Sequence, residues 1–87
     1  MYSLKYTKEF QKGLAALSKN EQKITARKLE ILVQNPSYPS LRTKKLKGFD
    51  SVFESSINMD IRILWTFQNG KIILLLTIGH HKDVLGV

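Results

Sequence analysis

Apolar positions in the first third of the chain repeat with the spacing of an α-helix. Phe10, Leu14 and Leu17 lie at i, i+4 and i+7, so they form one stripe that can pack onto a sheet. This spacing predicts a first helix from about Thr7 to Leu17. Before it, polar and apolar residues alternate from Tyr2 to Tyr6, a pattern typical of a short strand.

A second helix is predicted directly after the first. Ser18 and Glu21 have the spacing of a capping box, in which each side chain satisfies a free backbone N–H of the first turn. The helix should run to about Gln34 and stop before Pro36, because the residue preceding a proline is disfavoured in the helical region. Its buried face should be some combination of Ile24, Leu29, Ile31, Leu32 and Val33.

The second half of the chain is predicted to consist mainly of β-strands. After a turn-rich connector at residues 37–40, three segments are predicted and a fourth closes the sheet: Arg42–Lys47, Val52–Ile57, Ile61–Phe67 and Lys71–Ile78. Trp65 and Phe67 alternate in register with Ile61, so we expect them in the core rather than on a base-stacking surface. The pattern, β-α-α-β-β-β, predicts one α+β domain over residues 1–87, with two N-terminal helices on one side of a mainly antiparallel sheet.

The last two strands should form a hairpin around Asn69-Gly70. This dipeptide between apolar runs favours a two-residue type I′ turn, because both central positions need positive φ. Such a turn would place Gln68 opposite Lys71 and Arg62 opposite Thr77. It would gather the only two histidines of the chain with two charged residues at the open end of the hairpin, namely Asp60, Arg62, His80 and His81.

The amino-acid composition limits the cellular compartments that fit this chain. The 87 residues include no cysteine, so disulfides and thiolate metal sites are excluded, and a reducing compartment is compatible with the chain. The longest apolar run, Ile72–Leu76, is too short to span a bilayer. The N-terminal residues Met1–Lys5 lack the apolar stretch that is typical of a signal peptide. We therefore expect a cytoplasmic protein that does not bind membranes.

The basic charge is concentrated in the first half of the chain. The formal net charge is +7, with eleven Lys and Arg against three Glu in residues 1–47, and three Lys and Arg against four Asp and Glu in residues 48–87. The density is highest in the segment Arg42–Lys47. Such a patch suits a polyanion or an acidic protein partner, although a solvated face that keeps the protein soluble is the simpler interpretation of one basic run.

Three stretches carry a resemblance to a known family. Leu46-Lys47-Gly48, the strand Asp60–Trp65 and the C-terminal Gly79–Asp83, in this order and spacing, resemble the RelE/ParE toxin superfamily of bacterial type II toxin–antitoxin pairs, and most of all its YafQ branch. The resemblance implies a microbial-RNase-like fold, cleavage of mRNA in the ribosomal A site, and a cognate antitoxin that wraps the toxin. It implies no cofactor.

The resemblance also assigns candidate roles. His81 would be the general acid, Arg62 would stabilise the charge on the pentavalent phosphate, and Asp60 would orient a histidine or accept the 2′-hydroxyl proton. The family has lysines or a histidine on the strand that corresponds to Val52–Ile57, where this chain has none, so Glu54 becomes the candidate base. Candidate substrate-binding residues are Arg42, Lys44, Lys45, Lys47 and His80.

Alternatives remain open for these residues and for the function. Arg62 could simply form a surface ion pair with Asp60 or Glu54. A metal site built from both histidines with Asp60 or Asp83 is disfavoured by the adjacent spacing of the histidines, so we expect no metal. Besides a metal-independent endoribonuclease that acts on mRNA at the ribosome, the chain could be a non-enzymatic gyrase inhibitor like the ParE branch, or a weakened toxin that mainly binds its antitoxin.

Overall fold

The computed structural model describes residues 1–82, which form two helices and a five-stranded sheet. The elements, in chain order, are β1 (Ser3–Tyr6), α1 (Lys8–Ala15), α2 (Lys19–Gln34), a 3-10 turn (Pro39–Leu41), β2 (Lys44–Lys45), β3 (Val52–Ser56), β4 (Ile61–Gln68) and β5 (Ile72–His80). The strand order is β1-β5-β4-β3-β2, with β1 parallel to β5 and all other pairs antiparallel. The predicted α+β fold is confirmed, and its five strands lie within or near the five predicted extended segments, although the pattern β-α-α-β-β-β counts only four. Neither helix of this described part is long and apolar enough to cross a membrane.

Both helices begin at the predicted residues. The Thr7 hydroxyl accepts a hydrogen bond from the backbone N–H of Phe10 and so caps α1. At α2 the capping box is complete, because Ser18 and Glu21 each accept from the backbone N–H of the other. The bonds from the Ser18 N–H and the His80 ring lower the pKa of Glu21. This carboxylate therefore adds stability above its ordinary titration range and loses it as the pH falls through the lowered value.

The hairpin turn departs by one residue from the predicted register. Asn69 and Gly70 both have positive φ, at 56° and 72°, as a type I′ turn requires. Lys71, however, does not pair with Gln68, which lies opposite Ile72 instead. The connection between the strands is therefore three residues long, and the predicted pairing of Gln68 with Lys71 is wrong.

A bulge in β5 adds a second shift. The register between β4 and β5 shifts by one residue between Leu64 and Trp65, so Leu76 lies opposite no residue of β4. The carbonyl oxygen of Leu76 instead accepts a hydrogen bond from the Thr7 hydroxyl at 2.7 Å. The start of α1 thus stabilises the bulge, and the open end of the hairpin is displaced by two residues from the prediction.

The core lies between the helices and one face of the sheet. Its buried apolar residues come from both layers: Phe10, Leu17, Leu32, Leu41, Ile57, Ile61, Ile63, Trp65, Ile73, Leu75 and Ile78. Trp65 is buried as predicted, with its ring stacked on Phe53 at a centroid distance of 4.7 Å. Phe67 lies at the margin instead, 39% exposed, because it is near the hairpin end of the strand. Its ring packs on Tyr2 at a centroid distance of 5.3 Å.

The predicted strand Arg42–Lys47 is reduced to Lys44 and Lys45. Arg42 has φ 48° and ψ 44°, and its N–H donates to the Pro39 carbonyl at the end of the 3-10 turn. A left-handed residue cannot continue a strand, so pairing with β3 starts later. It ends early as well, because a turn begins at Leu46: the N–H of Phe49 donates to the Leu46 carbonyl, and Gly48 has φ 88°.

Candidate functional site

The sheet face turned away from the core collects polar side chains from three neighbouring strands. Glu54 on β3 lies opposite Lys44 on β2, and Ser56 on β3 lies opposite Arg62 on β4. Side chains that face each other across antiparallel strands share one side of the sheet. We call Lys44, Glu54, Ser56 and Arg62 the polar face.

Glu54 is the most enclosed charge on this face. The residue is only 4% exposed, and its two carboxylate oxygens contact different cations. Oε2 lies 3.4 Å from Nε of Arg62, and Oε1 lies 3.7 Å from Nζ of Lys44. A buried carboxylate needs such partners, because an uncompensated charge in a protein interior costs several kcal/mol.

Arg62 is held on its other side by the turn between β3 and β4. Its Nη1 donates to the carbonyl oxygens of Asn58 at 2.6 Å, Met59 at 3.0 Å and Ile61 at 3.2 Å. The alternative prediction, an ion pair between Arg62 and Glu54, is confirmed. The same guanidinium also binds the three carbonyl oxygens of the turn. Within residues 1–82, Nη2 makes no hydrogen bond, so its two N–H groups can serve a ligand.

A buried polar chain positions the strand that carries the basic residues. The Trp65 indole Nε1 donates to the Ser55 hydroxyl at 2.9 Å, and Ser55 lies 2.7 Å from the Thr43 hydroxyl. Thr43 donates to the Pro36 carbonyl at 2.7 Å, so the bond between the hydroxyls runs from Ser55 to Thr43. Thr43 separates Arg42 from Lys44, and the core therefore anchors the backbone of both.

His81 joins the polar face at the end of β5. Arg62 lies opposite Gly79 rather than the predicted Thr77, and the His81 N–H donates to the Asp60 carbonyl at 2.6 Å. The result is a cleft of about 290 Å³ lined by Arg42, Lys44, Glu54, Ser56, Arg62 and His81. We call it the polar cleft.

The structure brings together some of the candidate residues and separates others. Asp60 does not line the polar cleft but a different hollow, with both histidines and Lys82, and its hydrogen bond to His81 is made by its backbone carbonyl. His80 points to α2, where Nε2 lies 3.2 Å from the Glu21 carboxylate. Lys45 and Lys47 do not line the polar cleft, because Lys45 pairs with Phe53 on the opposite side of the sheet and Lys47 follows β2 in an exposed turn.

Two residues at this edge of the sheet, Lys28 and Ser56, were not predicted as site residues from the sequence. Lys28 on α2 approaches the same edge and lines a second cleft next to Arg42 and Arg62. No local pattern marks it, because it is one of several lysines along the helix. Ser56 could have been found, since strand alternation puts it on the side of Glu54.

The cleft can carry out acid–base chemistry next to an anion. It combines a carboxylate, an imidazole and three cationic side chains within one lining. Among residues 1–82, no three His, Asp or Glu side chains lie close enough to hold a metal ion, and Asp83 is outside the described residues. The arrangement suits proton transfer at a bound phosphate.

Comparison by sequence gives no relative, because no protein-family model and no curated protein matches the chain. Solved structures do match it. YafQ from E. coli strain BL21(DE3) superposes with a TM-score of 0.80 at 13% identity, over 99% of this chain and 100% of that one. The chain has the RelE/YafQ fold.

Two complexes contain the same RelE/YafQ fold. A chain of the archaeal RelE–RelB complex from Pyrococcus horikoshii OT3 matches with a TM-score of 0.75 at 22% identity, over 91% of this chain and 93% of that one. A chain of the E. coli DinJ–YafQ toxin–antitoxin complex matches with a TM-score of 0.75 at 16% identity, over 98% of both chains. The fold expected from the resemblance is therefore confirmed.

Proposed function

We propose that this chain is the toxin of a type II toxin–antitoxin pair and acts as an endoribonuclease on mRNA at the ribosome. The observation that carries the proposal is the polar cleft, which holds the Glu54 carboxylate, the Arg62 guanidinium and the His81 imidazole in one lining. The RelE/YafQ fold supports the proposal, since a fold of this kind occurs in the E. coli DinJ–YafQ toxin–antitoxin complex.

The chemistry is an internal displacement by the ribose 2′-hydroxyl. Glu54 takes the proton of the 2′-hydroxyl as its oxygen attacks phosphorus, and the bond from phosphorus to the 5′-oxygen breaks. Protonated His81 gives its proton to that oxygen. The products are a 2′,3′-cyclic phosphate and a 5′-hydroxyl, and His81 and Glu54 return to their starting states by proton exchange with water.

The cations stabilise the negative charge that grows on the phosphate. Arg62 offers its Nη2 donors, because Nε faces Glu54 and Nη1 is held by the turn carbonyls. Lys44 is 70% exposed at its side chain and contacts Glu54 at the long distance of 3.7 Å, so it can move to a phosphate at little cost. Its departure would also free one oxygen of Glu54 to accept the proton. Arg42, at the rim of the cleft, binds the RNA backbone.

One observation favours a second candidate function. Glu54 is engaged by two cations, which is the arrangement expected of a purely structural ion pair. A weakened toxin that mainly binds its partner would keep that arrangement without using it. The proposed endoribonuclease requires Glu54 to exchange Lys44 for substrate.

The proposed partners are a cognate antitoxin, mRNA and the ribosome. The net charge of +7 favours association with an acidic, partly disordered protein that folds as it binds. Such a protein would compete with RNA for the same cations. If a complex with an acidic partner bound RNA with unchanged affinity and salt dependence, this part of the proposal would be wrong.

Mapping of mRNA cleavage on programmed ribosomes tests the function. We expect the wild type to cut at a defined position in the A site and His81→Ala to lose cleavage by about a hundredfold or more, as for removal of a positioned general acid. His80→Ala is the matched control, because that histidine contacts α2 rather than the polar cleft. Intact mRNA while the protein still arrests growth would refute the nuclease and point to a binding target such as gyrase.

A further inference from the structure

A second cleft adjoins the polar cleft at the edge of the sheet. It measures about 320 Å³, and its polar lining comes from Lys28, Ser40, Arg42, Ser56, Asn58 and Arg62. Three of these residues, Arg42, Ser56 and Arg62, line the polar cleft as well. The two clefts are therefore neighbours that share these side chains, and a chain-like ligand can extend from one to the other. We call the second one the Lys28 cleft.

The Lys28 cleft is the more positive of the two. Lys28, Arg42 and Arg62 contribute three cations, and no carboxylate is among its lining residues. The polar cleft also has three cations, but Glu54 offsets one of them. Arg62 also faces Glu54 of the polar cleft, but Lys28 and Arg42 form no ion pair among residues 1–82. Cations without a carboxylate partner on a low-dielectric wall concentrate the electric field and favour an anion.

Lys28 is held in place before any ligand binds. Its Nζ donates to the Ser40 hydroxyl at 3.1 Å, and the residue is half-buried although it lies on a surface helix. An ammonium has three donors, so two remain for an anion. Because its side chain is already ordered, less conformational entropy is lost when it binds.

Asn58 adds a neutral donor at the same place. Its Oδ1 accepts from the backbone N–H groups of Asp60 at 2.9 Å and Ile61 at 2.8 Å, which fixes the orientation of the amide. Within residues 1–82, its Nδ2 makes no hydrogen bond. A fixed amide donor beside a fixed ammonium is the kind of pair that binds a phosphate oxygen.

We propose that the Lys28 cleft binds the phosphodiester next to the one that is cleaved in the polar cleft, with Lys28 as its principal ligand. The inference rests on the proposed endoribonuclease and defines the path of the RNA strand across it. Arg42 and Arg62 lie between the two phosphates, and the strand runs from the His81 end of the sheet toward α2. Met59, 89% exposed at the rim, offers an apolar surface to the ribose or base in between.

The test is the salt dependence of binding to 2′-O-methyl RNA, which cannot undergo the cleavage. For single strands the slope of log K against log salt is about 0.7 per phosphate contact, so Lys28→Ala should lower it by about 0.7 for a hexanucleotide. Lys23→Ala is the matched control: it removes the same charge from the same helix but lines neither cleft, and its slope should stay near that of the wild type. Lys28→Arg should retain most of the slope.

Ligand length gives a second measurement. The wild type should bind a trinucleotide with two phosphodiesters more tightly than a dinucleotide with one, and this gain should shrink in Lys28→Ala. Equal slopes and equal gains for Lys28→Ala and Lys23→Ala would overturn the site while leaving cleavage by the wild type intact. If instead Lys28→Ala lowered the slope but the wild type cleaved no RNA, the nuclease would fail and the phosphate site would stand.

Discussion

The contact between Arg62 and Glu54 should matter more for stability than any other charged contact on the polar face. Arg62→Ala removes the guanidinium that faces Glu54 at 3.4 Å and also leaves the carbonyls of Asn58, Met59 and Ile61 without that donor. Breaking a buried pair from one side costs about 3–5 kcal/mol, because the remaining charge is uncompensated. In a domain of this size each kcal/mol lowers Tm by about 4–8 °C, so we expect a fall of at least about 12 °C.

Lys44→Ala provides the comparison. Its side chain is 70% exposed and its Nζ lies 3.7 Å from the same carboxylate, so its loss should cost under about 1 kcal/mol. Glu54→Gln in the Arg62→Ala background should recover part of the loss, since it removes the charge that Arg62 compensates. Thermal and urea unfolding followed by circular dichroism measure all four proteins.

Equal destabilisation by Arg62→Ala and Lys44→Ala would refute this reasoning. So would the absence of any recovery in the double variant, because the cost would then come from the turn carbonyls and not from the carboxylate. The result also bears on activity assays. A loss of cleavage in Arg62→Ala identifies a phosphate-binding role only when the fraction of folded protein is known at the assay temperature.

Three further predictions concern the scaffold. Gly13→Ala should destabilise the protein although alanine favours helices by about 1 kcal/mol, because the new Cβ would clash with the Ile78 carbonyl oxygen; thermal unfolding should show a lower Tm, and a higher one would contradict the close packing of α1 on β5. Ser55→Ala should cost about 1–3 kcal/mol in urea unfolding, since it leaves the buried Trp65 indole N–H without an acceptor, and a neutral effect would mean that water replaces the hydroxyl. Ser18→Ala should cost about 1 kcal/mol through the lost cap of α2, whereas Ser18→Asp should retain most of the stability; equal losses would argue against capping.

The helical half of the fold could be predicted from the sequence because its signals are local. The capping box at Ser18 and the stop before Pro36 act within a few residues of their own positions, and both are where the pattern put them. The register of the hairpin could not be predicted in the same way. The bulge at Leu76 depends on a hydrogen bond from Thr7, which is 69 residues away in the chain, so no local pattern contains it.

The candidate site shows the same difference between features set by local sequence and features set by long-range contacts. Strand alternation is enough to put Glu54 and Ser56 on one side of β3, and the resemblance to the toxin family points to Arg62 and His81. The sequence did not reveal that Glu54 is buried between two cations, because burial depends on the neighbouring strands. Lys28 became a candidate only when the fold placed α2 beside the turn after β3.

Trp65 connects the core to the basic edge of the sheet in a way that can be observed directly. It is the only tryptophan of the chain, and its indole N–H begins the hydrogen-bonded chain through Ser55 and Thr43 to the backbone of Pro36. Any rearrangement of the segment that carries Arg42 must change the polarity or hydrogen bonding around that one fluorophore. The protein thus has an intrinsic optical reporter, whose emission should shift when RNA or an acidic partner moves the β2 edge and should stay constant when a ligand binds elsewhere.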